Sequence, residues 1–432
     1  MSIYIRLPWW LNPLWAAALF VGMITITGLY VSADSFQLWR VPMYVSSELT
    51  LIGLVPAVAF LVGLSVPMLR RSGRSREFSI SLSPRTLLLC DKLSSIFFWL
   101  TVVGYVLWVL FALRQGAGLQ QLRSVLSFEQ GSVGELKKLS APVGGLTTLT
   151  QFAPVAVALR AFLLRIDCRG RRAQLVTILL LSLARSFLYG ERLALIEVAV
   201  PALIVMVAVS AVPHAKNRSF AAAVLPVFAI PALWTVFAVF EYSRSWLYYR
   251  TVTDQSFFQY INDRLLGYYV TAINNSSLYY LNAADVPHDP LFSFPAVWDA
   301  PIIGEMLGAA RISGVGIRTW WDAMLSFNGN PEFNNVGTFL VVDADLGTAG
   351  AVVYWLAFGV AVGFCFQKAR QGRIVGLIAY SVVFVGLLEI VRIVYWAQGR
   401  FTPVIIALAV LYFVLSPSQR RDSKEDHAER VQ

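Results

Sequence analysis

Long unbroken apolar runs dominate the chain, with little period-2 alternation and few narrow helical stripes. A bilayer core about 30 Å thick takes about 20 apolar residues per helix. By that measure ten runs qualify as spans, at 14–32, 50–69, 93–113, 141–164, 173–189, 193–212, 219–240, 346–366, 374–391 and 401–416. Only Gly190, Glu191 and Arg192 separate the fifth from the sixth, which leaves open one kinked or re-entrant element there. The pattern predicts an all-α polytopic membrane protein. A bundle of seven spans fills 1–240, a polar and aromatic stretch expected to be partly helical fills 241–340, and three more spans fill 341–416. The tail at 417–432 is charged and expected to be disordered. Within 114–140, Leu119, Leu122, Val125 and Leu126 against Gln120, Arg123 and Glu129 suit a helix lying on the membrane surface. The run from Leu14 to Val31 follows Arg6 without a small-residue cleavage site, so it reads as a first span and not as a signal peptide. No internal repeat is visible, which removes support for an inverted-repeat transporter.

Composition sharpens this. The chain is 57% hydrophobic and only 14% charged, whereas soluble domains are about a quarter charged. A net charge of +10 would suit nucleic acid, but the basic residues cluster in short loops beside apolar runs, and no nucleic acid partner is expected. Arg70, Arg71, Arg74 and Arg76 follow span two; Arg165, Arg169, Arg171 and Arg172 follow span four; Lys216 and Arg218 follow span six; Lys368, Arg370 and Arg373 follow span eight. Every second loop is basic, as is the tail, so the positive-inside rule puts both termini in the cytoplasm and 241–340 outside. Cys90, Cys168 and Cys365 imply no disulfide framework, and His214, His288 and His427 make no metal-ligand pattern. Neither a metal nor a cofactor is expected.

The candidate chemistry lies in arginines near span ends. A charge in or near the membrane core is costly and is usually paired or functional. Arg160, near the cytoplasmic end of span four, is placed to snorkel. Arg185 and Arg192 lie seven residues apart and share a face if that segment is one helix, with Glu191 and Glu197 available to neutralise them. Arg392 and Arg400 bracket a short loop holding Tyr395 and Trp396, and Glu389 is spaced to pair with Arg392. These arginines serve equally well as ion pairs or interfacial anchors, or they converge with Arg264, Arg311 and Arg318 on an anionic headgroup. Guanidinium offers a planar fork matched to phosphate oxygens. All five basic residues of 241–340 are arginine, among many Tyr and Trp, and Asn274, Asn275, Ser276 and Ser277 suit sugar hydroxyls or a turn or cap. Asp263, Asp285, Asp289, Asp299, Glu305, Asp322, Asp343, Asp345 and His288 are candidates for a general base, and spacing alone does not choose among them.

Three patches carry a resemblance. Gly190-Glu191-Arg192 stands between two spans, a large outer loop occupies the second half, and Asn335-x-x-Thr338 leads into Asp345-Leu346-Gly347-x-x-Gly350 at the next span. Arg318 and Gly329 add an Arg-x10-Gly spacing. In order and sidedness these resemble the Wzy-type O-antigen polymerases, the oligosaccharide repeat-unit polymerase family. Related ligases usually carry a functional His in the large loop, and His288, in a Pro287-His288-Asp289-Pro290 turn, is a poor match. The resemblance implies a bacterial inner-membrane glycosyltransferase. Its substrate would be an undecaprenyl-diphosphate-linked oligosaccharide, and a chain-length regulator and flippase of the same pathway would be partners beside membrane lipids. It implies Arg192, Arg392 and Arg400 as catalytic residues around the diphosphate, with Arg264, Arg318, Arg185, Asn335 and Asp345 binding substrate. A ligase-like or other lipid-linked glycosyltransferase is the alternative, and a lipid-linked sugar flippase or transporter a further one.

Overall fold

Inside a bilayer the backbone finds no water to bond, so apolar runs fold as helices that satisfy their own N–H and C=O groups. A computed structural model describes residues 2–69, 78–129, 131–166, 172–212, 216–283, 290, 292–298, 300, 303–306, 311–312 and 315–431, without side chains at 216–219, 243, 311–319 and 418–431 among others. The principal helices are α1 (Pro13–Tyr30), α2 (Ser47–Leu69), α3 (Pro84–Arg114), α4 (Ala153–Ile166), α5 (Arg172–Tyr189), α6 (Leu193–Ala208), α7 (Lys216–Glu241), α8 (Phe257–Asn282), α9 (Thr338–Arg370), α10 (Ile374–Leu388) and α11 (Thr402–Val431). Among the described residues eight helices are long and apolar enough to cross a membrane, and α6 and α10 are shorter apolar helices. The chain is an all-α polytopic membrane protein.

Helix α4 is buried on every side, and so is α10. They pack with α6 at the centre, while α1, α3, α7 and α11 turn residues such as Trp15, Val106, Phe228 and Phe413 outward. An apolar surface of that kind suits lipid. Helices α2 and α9 make the closest contact. A Cβ added at Gly63 would lie 2.3 Å from the Leu356 carbonyl oxygen, and one at Gly359 would lie 2.4 Å from that of Phe60. Small residues permit backbones to approach this way where no hydrophobic drive exists between helices.

Several boundaries differ from the sequence reading. Helix α3 starts nine residues before the expected 93, because Ser83 caps it by accepting from the Thr86 N–H, with Pro84 at the first helical position. Span four is helical only from Thr147, as a 3-10 turn that runs into α4. Span six ends at Ala208 because Val209 and Ser210 form a strand, β3. β1 (Ser2–Ile5) pairs antiparallel with β3 and with β2 (Phe78–Ser81), closing a three-stranded sheet at one end of the bundle. Span eight begins earlier, at Thr338, and Gly347 breaks it with φ +71 and ψ 163. The tail expected to be disordered instead prolongs α11 to Val431; Arg421 and Glu425, and Asp426 and Arg430, stand four apart, a spacing that supports helix.

Among its described residues the stretch 241–340 is partly helical, as expected. Its centre is α8, which begins at a capping box of Ser256 and Gln259 and buries one face along the bundle. The Asn274–Ser277 run lies inside this helix and is buried, so neither a turn nor a sugar-facing surface holds there. Asn274 Oδ1 accepts from the N–H groups of Tyr44 at 2.7 Å and Val45 at 3.1 Å. Asn275 Nδ2 donates to the carbonyls of Phe333 at 2.6 Å and Asn335 at 2.9 Å. The polar run ties two irregular segments to α8. Between residues 114 and 140, two short helices, Leu119–Leu126 and Ser132–Leu139, bury Val125 and Leu136 beside α5 and leave Leu119 and Leu126 exposed.

Candidate functional site

Arginines gather at the end of the bundle opposite the sheet, in two adjoining clusters. Helix α5 stops at Tyr189, and Gly190, at φ +66, turns the chain before α6 starts. Gly190 therefore breaks the shared helical face expected for Arg185 and Arg192, and the two side chains enter different clusters.

The first cluster holds Arg185 and Arg400. Arg185 Nη2 lies 2.7 Å from Glu191 Oε2, and its Nη1 donates to Thr150 Oγ1 at 2.9 Å. The other oxygen of Glu191 pairs with Arg400 Nη2. Arg400 Nη1 also lies 3.3 Å from Glu197 Oε1, which accepts the Tyr395 hydroxyl at 3.0 Å. Both arginines border a cavity of about 730 Å³, along with Trp108, Thr148, Gln151 and Gln398. Among the described residues lining it there is no aspartate or glutamate. Glu191 and Glu197 are not among its lining residues, so its polar groups are cations, hydroxyls and amides, set among apolar residues such as Leu149, Phe152 and Pro403. Its volume falls in the ordinary range for small-molecule sites. Ile406 also lines it and is half exposed on the outer surface of α11, so the cavity continues into apolar surface.

The second cluster centres on Glu241, at the last position of α7 and 0% exposed. Its Oε1 lies 2.6 Å from Arg192 Nη2, and its Oε2 accepts from Arg264 Nε at 2.7 Å and from Ser245 Oγ at 2.5 Å. Arg264 Nη1 reaches Glu332 Oε2 at 2.7 Å. Burial works hardest against the Arg264 charge, but Glu241, Tyr268, Tyr260 and Glu332 together outweigh it, and the pKa is raised. For Arg192 burial outweighs the help from Glu241, and its pKa is lowered. Arg192 sits over the Phe237 ring at 4.2 Å and the Tyr268 ring at 4.9 Å, and Arg392 lies 5.8 Å from the same Tyr268 ring. Arg392 pairs with Glu389 at 3.2 Å, as the spacing anticipated. With its amide oxygen turned toward Arg392, Asn335 accepts from Nη2 at 2.9 Å and from Nε at 3.3 Å.

The three arginines expected to share one site are thus divided: Arg400 joins Arg185, while Arg192 and Arg392 join Arg264 and Asn335 around Tyr268. Asp345 stands apart from both clusters. It is buried and accepts from the Tyr279 hydroxyl at 2.6 Å, the N–H groups of Phe292 and Ser293 at 2.9 and 2.8 Å, and Ser293 Oγ at 2.9 Å. Those four bonds anchor the segment after α8 to α9. The Arg318 side chain, like that of Arg311, lies outside the described residues, as do His288, Asp285, Asp289 and Asp299. Sequence reasoning missed Glu241, Glu332 and Tyr268. Glu241 had a usable signal, an acid closing an apolar span three residues before Arg244; the other two had none, because their partners come from distant segments. Comparison with protein-family profiles, curated proteins and solved structures yields no match.

Proposed function

We propose that this protein is a glycosyltransferase acting on a lipid-diphosphate-linked oligosaccharide, of the repeat-unit polymerase kind, at the outer face of a bacterial inner membrane with both termini in the cytoplasm. One observation carries the reading: a cavity bordered by Arg185 and Arg400, free of acidic lining among the described residues, beside the apolar outer surfaces of α3 and α11. A soluble anion would not need that apolar flank. An anion joined to a lipid would.

In this reading the growing glycan enters as the donor, with undecaprenyl diphosphate as leaving group. The bond from the anomeric carbon to the diphosphate breaks as a hydroxyl of the next lipid-linked repeat unit attacks that carbon and gives up its proton to the departing diphosphate or to solvent. Negative charge grows on the departing oxygen. Arg185 and Arg400 are already oriented by Glu191, Glu197 and Thr150, so they meet that charge without reorganising, the condition under which electrostatic stabilisation is strongest. Arginine remains protonated at any working pH and offers paired donors to phosphate oxygens. Arg192 and Arg392 then act in the adjoining cluster, one peptide bond and one ring away, on the incoming unit. The reading is tested by deleting the gene and analysing lipid-linked glycans. Single repeat units should accumulate on the carrier at the outer face. Long polymer left on the carrier would instead mean a ligase, and units inaccessible from outside would mean a flippase.

A further inference from the structure

A second cavity of about 210 Å³ lies beside the Glu241 cluster, bordered by Trp39, Arg40, Tyr249, Gln255, Asp263 and Arg264 among others. We infer that it is a carbohydrate-binding site for a pyranose ring, with a preference for a sugar bearing a carboxylate. Several features make it a built site and not a packing defect. Tyr249 is half-buried at the wall and is backed by the buried Tyr260, their rings 5.3 Å apart at 32°, which holds one aromatic ring in place for a sugar to pack on. Asp263 is half-buried at the wall, and its Oδ2 accepts from Gln255 Nε2 at 2.8 Å. Its Oδ1 has no hydrogen-bond partner among the described residues, which leaves a carboxylate oxygen and an adjacent amide for neighbouring hydroxyls. Trp39 closes the floor, its indole N–H donating to the Asp263 carbonyl at 2.9 Å, and only a glycine at 267 leaves room for it.

Arg40 supplies the preference. It is one of two non-glycine residues at positive φ, at 54°, among the described residues. Left-handed backbone is uncommon for such a residue, and strain of this sort gathers at ligand sites. Among the described residues no carboxylate lies within ion-pair distance of Arg40, whereas Arg264 on the same wall holds both Glu241 and Glu332. Among the described residues lining the cavity, Arg40 is thus the cation without a carboxylate partner, matched to an acidic substituent on the sugar. Relative to the first cavity the position is ordered by a line of charges: Arg400 to Glu191, then Arg192 to Glu241 to Arg264. If the glycosyl transfer proposed above holds, this is where the terminal sugar of the acceptor docks; the carbohydrate site itself does not depend on it.

The test uses the full chain in lipid nanodiscs, with glucuronate and glucose as probes in saturation-transfer NMR and inorganic pyrophosphate as the probe of the first cavity. Glucuronate should bind more tightly than glucose. Arg40→Gly, which relieves the backbone, should weaken glucuronate about tenfold, the loss of one charged hydrogen bond, and erase the preference while leaving pyrophosphate binding unchanged. Asp263→Asn should weaken both sugars. Arg400→Gln should weaken pyrophosphate and spare the sugars. Saturation transfer to neither sugar, or glucuronate binding untouched by both Arg40→Gly and Asp263→Asn, would overturn the carbohydrate site. Pyrophosphate binding indifferent to Arg400 would instead count against the proposed function and leave the sugar site standing.

Discussion

At the scale of single residues, Arg185 and Arg400 border the first cavity while paired with Glu191 and Glu197, whereas Arg192 and Arg264 share the fully buried Glu241, and the two groups should respond differently to mutation. Arg185→Gln and Arg400→Gln remove donors from the 730 Å³ cavity. Each is expected to lower chain lengthening by about 10² to 10³, the usual cost of losing one oriented donor to a developing charge, with the protein still folded by size-exclusion chromatography. Glu241 is the opposite case. Glu241→Ala strips the shared partner from Arg192 and Arg264, and removing one side of a buried pair costs about 3–5 kcal/mol. Thermal denaturation in detergent should show that loss whatever the activity. The sequence made the arginines legible because a charge near an apolar run is conspicuous, and it made the Glu389–Arg392 pair legible because both lie on one helical turn. The partition into two clusters was hidden. It depends on Gly190 adopting φ +66 between α5 and α6, and on Glu241 and Glu332 arriving from segments 49 and 68 residues away from their partners Arg192 and Arg264.

At the scale of elements, most helices could be read from apolar length, while their ends were set by short-range chemistry that hydropathy averages away. The Ser83 cap lengthens α3, and Val209 leaves α6 early to pair with Ile5. Helix α8 is the main surprise: its polar face, through Asn274 and Asn275, is buried and bonds to backbone groups, so a buried face carried the composition of a loop. The α2–α9 seam has a sharper consequence. A side chain at Gly359 would meet the Phe60 carbonyl oxygen at 2.4 Å, and backbone atoms do not yield as a flexible side chain does. Gly359→Val is expected to destabilise the fold by about 1–3 kcal/mol, the usual cost of overpacking, seen as a lower melting temperature. An unchanged melting temperature would contradict a close backbone contact at this seam.

At the scale of the whole molecule, the two ends of the bundle carry different chemistry. The sheet and the basic residues Arg165, Lys368, Arg370 and Arg373 occupy one end, and both cavities occupy the other. In the proposed orientation the cavity end faces outward. Leu146→Cys, at an exposed position beside the first cavity, should react with a membrane-impermeant maleimide in intact spheroplasts, whereas Gln371→Cys should react only after permeabilisation. The reverse pattern would invert the topology and remove the donor from reach. In the proposed function, cavities built by helix ends would keep the diphosphate near headgroup depth, with an apolar flank for the lipid. The direct measurement is chain lengthening by purified protein in liposomes loaded with lipid-diphosphate-linked repeat units, comparing the wild type with Arg400→Gln. The account predicts a ladder of polymer for the wild type and single repeat units for the variant at equal folded protein; a full ladder from Arg400→Gln would contradict it.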